Sequence, residues 1–295
     1  MAADPIPTLS GLGGIAGAYD LILCDVWGVL HDGTRAHAGA GAALMAFRGL
    51  AGPRPRRVVL VSNAPRPWDG VRAILDGYGV PRAAYDAILT SGDLTRGLIA
   101  ARAGARIHHL GPARDAPIFA GLDVALVAAE AADLVVCTGL FDDATETADD
   151  YSGTLAALRA RDVPMICANP DLVVERDGLL IPCAGLIAAA YAGIGGAVTY
   201  AGKPHRPIYA AALALAAALD GGPAPELGRV LAVGDALRTD IAGARTFGIP
   251  SLLVARGIHA ADLGLTAEHH RLGDAAAWLG RQAVQPDAVI ERLAW

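Results

Sequence analysis

The chain is predicted to fold as an α/β protein around a parallel sheet. Two observations carry this reading: short apolar runs rich in branched residues recur along the sequence, and stretches with helical spacing separate them. The runs are continuous rather than alternating, as strands covered by helices on both faces should be.

In order, the runs are LILCD (21–25), RVVLVSN (57–63), AILTSG (87–92), IHHLG (107–111), LVVCTG (134–139), PMICAN (164–169), VTYAGK (198–203), VLAVGD (230–235) and SLLVARG (251–257). Helices are expected at 144–162, 207–222 and 239–249; in the second, Pro207 suits the first turn and Gly221-Gly222 the stop. The glycine-rich stretch 11–17, GLGGIAG, precedes the first strand, where a dinucleotide loop would follow one, so it reads as a flexible lead-in. Ligands of such sheets bind beyond the carboxyl ends of the strands, which directs attention there.

Composition narrows the function classes. With 54% hydrophobic and 18% charged residues in 295, the chain is globular and long enough for one large or two modest domains. A net charge of −6 gives nucleic acid or an anionic membrane no electrostatic hold, so neither is expected as a partner. Apolar runs such as 186–198 fall short of a bilayer span, and the first residues lack the basic start and apolar stretch of a secretion signal; a cytoplasmic protein is expected. Cys24, Cys137, Cys167 and Cys183 are widely spaced in apolar surroundings and read as core residues.

Four strand ends carry what phosphoryl transfer needs. Asp25 ends the first run, Ser62-Asn63 the second, Lys203 the seventh and Asp235 the eighth, with Asp240 five residues further on. A carboxylate at Asp25 can attack phosphorus and form an acyl phosphate. Magnesium held by Asp25 and Asp235 would let two anions approach, while Ser62 and Lys203 bind the remaining phosphoryl oxygens. Each residue alone has a bland reading as a cap, a turn or a solvated charge; their conjunction at strand ends favours one site.

The segments DVWGVL, LVSNAPR, GKPHRPIY and VGDALRTDIAGARTFGIPSLLV resemble the four motifs of the haloacid dehalogenase superfamily, and the chain is similar to its phosphatase branch from about Tyr19 to Arg256. That branch holds the bacterial nucleotide- and sugar-phosphate phosphatases and the pyridoxal-phosphate and nitrophenyl-phosphate phosphatases. The resemblance implies a Rossmann-like core, Asp25 as nucleophile, Ser62 and Lys203 as catalytic phosphate ligands, Mg2+ on Asp25, Asp235 and the backbone carbonyl of Trp27, and Asp240 in the metal shell or orienting Lys203. It also implies a large α/β cap between the second and third motifs, where 140 residues intervene, far more than one crossover needs. The expected division is a core of 1–84 and 184–295 and a cap of 85–183. Substrate binding is expected from Ser62, Asn63 and Lys203, with Asn169 and Asp171 on a cap loop, for a small phosphorylated metabolite. Relatives dimerise through their caps, so a homodimer belongs to the same expectation.

Trp27 departs from the pattern. Phosphatases of the superfamily carry there a second aspartate, which protonates the leaving group and later activates water; an indole has no proton to give near neutral pH. Three readings follow: a magnesium-dependent phosphatase with a weakened acid-base step, a binding or regulatory protein for a phosphorylated ligand, and a carbon-centred hydrolase like the dehalogenases, which carry an aromatic residue at this place. His31 and Asp32 are near in sequence but fall past the turn.

His108-His109 and His269-His270 come without a second ligand motif, and neighbouring rings point apart, so both pairs read as solvent or packing positions. Arg54, Arg56 and Arg57 read as a solvated loop before the second strand, and Trp278 and Trp295 as part of a tail docked on the core or a subunit interface.

Overall fold

The structure, a computed structural model, describes residues 6–176, 179–265 and 275–295. The strands in chain order are β1 (Thr8–Leu9), β2 (Leu21–Cys24), β3 (Arg57–Ser62), β4 (Ala87–Thr90), β5 (Ala105–Leu110), β6 (Val124–Leu126) and β7 (Leu134–Cys137). They continue with β8 (Met165–Cys167), β9 (Val173–Arg176), β10 (Leu179–Pro182), β11 (Val198–Tyr200), β12 (Val230–Gly234), β13 (Ser251–Val254) and β14 (Ala288–Ile290). Two compact units divide the chain: Met1–Ser62, Arg72–Leu89 and Tyr209–Trp295 form the first, Asn63–Val71 and Thr90–Ile208 the second.

The first unit is built on the seven-stranded sheet β1-β14-β13-β12-β2-β3-β4. Its central pairings are parallel, with Cys24 opposite Val233 on one side and Leu60 on the other. Every residue of β2, β12 and β13 is buried, the mark of strands covered on both faces and the reason their sequences read as unbroken apolar runs. The polar residues that end β2, β3 and β12 are thereby delivered side by side at the carboxyl edge.

At the opposite edge the arginines expected in a solvated loop are structural. Arg56 is buried and pairs with Asp20, just before β2; Arg229, just before β12, pairs with the same carboxylate through Nη2 at 2.8 Å. Arg57 bonds to Asp86 at 2.9 Å and Asp220 at 2.7 Å. Burying Asp20 unpaired would be prohibitive, and two guanidiniums make it tolerable. Residues 11–17 are likewise not a flexible lead-in. Gly13–Ala16 forms a helical turn, Leu12 is buried and donates its N–H to the carbonyl of Ala294 at 2.7 Å, and Gly11 lies so close to the Trp295 backbone that a Cβ would collide.

The second unit holds the parallel sheet β11-β8-β7-β5-β6 and the antiparallel hairpin β9–β10. Alternate residues of β7 feed two cores: Val135 and Cys137 pack with Leu155, Leu158, Ile187 and Tyr191, whereas Leu134 and Val136 pack with Ile99, Ile107 and Ile118. Strand β11, beyond the 85–183 expected for a cap, pairs with β8 and belongs to this sheet; residues 85–89 belong to the first unit. The run VTYAGK therefore brings Lys203 out of the second unit's sheet. Among the described residues no helix is long and apolar enough to cross a membrane.

Candidate active site

The expected site residues fall into two groups, one in each unit. In the first, Asp25, Asp235 and Asp240 are 8, 7 and 4% exposed, and each offers an oxygen within 4.8 Å of those of the other two. Backbone pairing aims them. The N–H of Asp25 donates to the carbonyl of Val233 at 2.7 Å, which continues the β2–β12 ladder to Asp25. Asp235 accepts from the N–H of Ile258 at 2.8 Å, and Gly28 and Gly257 approach its carboxylate where a Cβ would collide. Gly28 also has a φ of +83°, so it is glycine on two counts. Asp240 lies in the π turn Leu237–Ile241, accepts from the N–H of Ala236 at 3.2 Å, and has its carbonyl bonded by the Tyr209 hydroxyl at 3.3 Å.

Three buried carboxylates this close repel one another when ionised, and an all-oxygen donor set suits a hard divalent cation that neutralises them. Ser62 is buried at the end of β3, the strand beside β2.

The indole of Trp27 is part of a packed aromatic group. Its ring meets His31 edge-on at 5.2 Å, His31 meets Tyr78 at 5.1 Å, and the Tyr78 hydroxyl donates to the carbonyl of Gly33 at 2.6 Å. Gly33, with φ at +92°, lies where a Cβ would run into the indole. The loop is thus shaped around a tryptophan.

Two titratable neighbours of Trp27, His31 and Asp32, carry no proton to give near neutral pH. Burial, reinforced by His37, pushes the His31 imidazole down to about 4, and its Nδ1 accepts from the N–H of Gly33 at 2.9 Å, so the ring is neutral at pH 7. Burial works to raise the Asp32 carboxyl, but hydrogen bonds from Thr34 and Arg35 outweigh it and hold the group well below the usual carboxylate range. It therefore has no proton to donate.

In the second unit Asn63, Asp171 and Lys203 converge. The Asn63 Oδ1 accepts from the N–H of Lys203 at 2.8 Å and from the Ser91 hydroxyl at 3.4 Å; its Nδ2 donates to the Lys203 carbonyl at 3.1 Å and to Asp171 Oδ1 at 3.0 Å. Gly202 is packed so closely on Ser91, Asn63 and Pro170 that no Cβ fits. Asn169 turns its Oδ1 to the N–H of Asp171 at 3.1 Å, which is a local turn contact. Ser91 and Gly202 were not read from the sequence as site residues, because nothing local links them to residues far along the chain.

His108 and His109 are packing positions: the first faces the Val127 carbonyl at 3.3 Å, the second the Thr138 hydroxyl at 2.8 Å. All four cysteines are buried and none is in a disulfide. His269-His270 lie outside the described residues.

Known proteins resemble this chain in sequence and fold. The family model described as haloacid dehalogenase-like hydrolase covers residues 22–125, and a HAD-hydrolase-like model covers 200–295. A solved hydrolase of the haloacid dehalogenase-like family from Brucella suis is 44% identical over 97% of this chain and all of its own, with a TM-score of 0.84. The chain belongs to the haloacid dehalogenase-like hydrolase family. This hydrolase is also 32% identical to a D-glycerol 3-phosphate phosphatase of Mycobacterium tuberculosis over 84% of its length, and spans 66% of that relative. A glycerol phosphate phosphatase of the same organism, solved with calcium, aligns at 30% identity and a TM-score of 0.60 over 83% of this chain and 68% of its own; a second structure of it contains magnesium. The 4-nitrophenylphosphatase of Thermotoga maritima is 25% identical over 94% of this chain and 96% of its own, with a TM-score of 0.67.

Proposed function

We propose that this hydrolase is a magnesium-dependent phosphomonoesterase acting on a small phosphorylated metabolite, with a polyol phosphate such as glycerol phosphate as the first candidate. The observation that carries the proposal is the cluster of Asp25, Asp235 and Asp240 at neighbouring strand ends. The glycerol phosphate phosphatase relatives support the substrate class, and the calcium and magnesium in their structures support the ion.

Asp25, Asp235, Asp240 and the carbonyl of Trp27 would hold the ion, which supplies the positive charge that lets a carboxylate meet a phosphate dianion. The Asp25 carboxylate attacks phosphorus, the bond from phosphorus to the ester oxygen breaks, and an acyl phosphate forms that water hydrolyses. Ser62 and Lys203 take charge on the phosphoryl oxygens. The second unit acts as the cap, with the Asn169–Asp171 loop facing substrate. The resemblance supports a homodimer formed through that unit.

With neutral His31 and ionised Asp32 beside Trp27, a poor leaving group must depart without a proton from this loop, so the enzyme favours leaving groups that are already good anions. The same observation favours a second reading, a binding or regulatory protein that turns over slowly. Magnesium-dependent phosphate release from 4-nitrophenyl phosphate, in wild type and Asp25→Asn side by side, separates them. Activity lost by about 10³-fold or more in the variant is expected. No activity in folded, magnesium-replete wild type moves the weight to binding.

A further inference from the structure

We propose that Asn63 is a positioning residue that ties the Lys203 backbone and the Asp171 carboxylate into one unit, and that it makes no bond to substrate. The inference rests on the proposed phosphatase reading for the role of Lys203, and on geometry alone for the role of Asn63.

A carboxamide has two acceptor and two donor positions. All four of Asn63 are used inside the protein, on Lys203 N–H, Ser91 Oγ, the Lys203 carbonyl and Asp171 Oδ1. The side chain is buried, and its orientation is settled by Lys203, whose N–H requires an acceptor and whose carbonyl requires a donor. No capacity is left for a phosphate oxygen. Asn63 instead pairs with Lys203 as a second strand would, through both backbone polar atoms. The absence of a Cβ at Gly202 lets Ser91, Asn63 and Pro170 close around the residue before it. The lysine side chain therefore starts from a Cα held by both of its own backbone polar atoms. Fixing that origin is the kind of preorganisation that keeps an electrostatic contact effective in a transition state.

The fourth bond adds a coupling. Asp171 stands on the loop expected to select substrate, and its carboxylate is held by the same amide that holds Lys203. A change in one loop is thereby felt at the other through a single side chain, although 108 residues separate Asn63 from Asp171 and 140 separate it from Lys203.

Two readouts on the intact chain test this. First, amide exchange at Lys203 in Asn63→Ala is expected to be about ten-fold or more faster than in wild type, while amides of the helix Ala184–Gly193 keep their rates. Second, kcat/KM for 4-nitrophenyl phosphate and glycerol phosphate is expected to fall by about 10- to 100-fold in the same folded variant, by unequal factors for the two esters. Asn63→Asp sets two carboxylates against each other, and adding Asp171→Asn restores a donor and an acceptor between these positions. The double variant should therefore recover part of the activity that Asn63→Asp loses, a rescue that general destabilisation would not give. Unchanged exchange at Lys203, or kcat/KM within about two-fold of wild type in Asn63→Ala, would overturn the inference. Should wild type lack phosphatase activity, the proposed function falls and exchange at Lys203 alone decides whether Asn63 holds it.

Discussion

The two edges of the first unit's sheet handle buried aspartates in opposite ways. At the amino edge Asp20 is neutralised by Arg56 and Arg229, which immediately precede the neighbouring strands β3 and β12. At the carboxyl edge Asp25, Asp235 and Asp240 crowd within 4.8 Å of one another. Both edges are built by the same parallel strands, so topology does not explain the difference. The amino edge compensates its buried charge with paired guanidiniums; the carboxyl edge sets like charges side by side, which costs stability unless a cation neutralises them. Under the proposed function, the reacting groups and the compensated ion pairs stand at opposite ends of the same strands.

The largest expected effect breaks the amino edge. Asp20→Ala leaves Arg56 buried without its carboxylate and should cost about 3–5 kcal/mol in urea unfolding, with magnesium dependence of whatever folds unaltered. A loss below about 1 kcal/mol would mean that the ion pair contributes no more than a surface one.

The next effect comes from pH and lies at the carboxyl edge. The folded pKa of His31 is lower than the ordinary 6.5, so the unfolded chain takes its proton first. Stability therefore falls as pH drops from 6.5 towards 4, by up to about 3 kcal/mol, and this component levels off below 4. His31→Gln should remove it. Asp32, whose carboxyl is held low, is lost in a separate window: its contribution is present above its ordinary 3.8 and disappears as pH falls below that.

Smaller again is the effect of restoring an acid. Trp27→Asp should raise turnover of an alkyl phosphate by about ten-fold or more and leave an aryl phosphate nearly unchanged. No gain in a folded variant that is still stabilised by magnesium would show that proton transfer does not limit this site.

Much of this edge was legible in the sequence, because a strand covered on both faces writes itself as an apolar run and the first polar residue after it is forced to the sheet's edge. Asp25, Ser62 and Asp235 could be found that way, and Asp240 follows Asp235 by five residues. Asp20 and Arg56 could not. An ion pair between residues 36 apart has no local signature, and a cluster of arginines beside prolines reads as a solvated loop whether or not a buried carboxylate awaits it. The Asn63 contacts were hidden for the same reason. Its neighbour Ser62 pointed to phosphate binding, while the groups that exhaust its amide lie 28, 108 and 140 residues away. Hairpin β9–β10 and strand β6 were also missed; they are short and sparsely buried, so no continuous apolar run marks them.

The central claim is that the crowded carboxylates are a cation site whose mutual repulsion is the cost of holding it. Thermal unfolding of wild type and Asp235→Asn with and without magnesium tests this most directly. The variant is expected to be more stable than wild type in chelator by about 1 kcal/mol, and to lose the stabilisation that saturating magnesium gives wild type. A variant that is less stable in chelator and still gains fully from magnesium would contradict it.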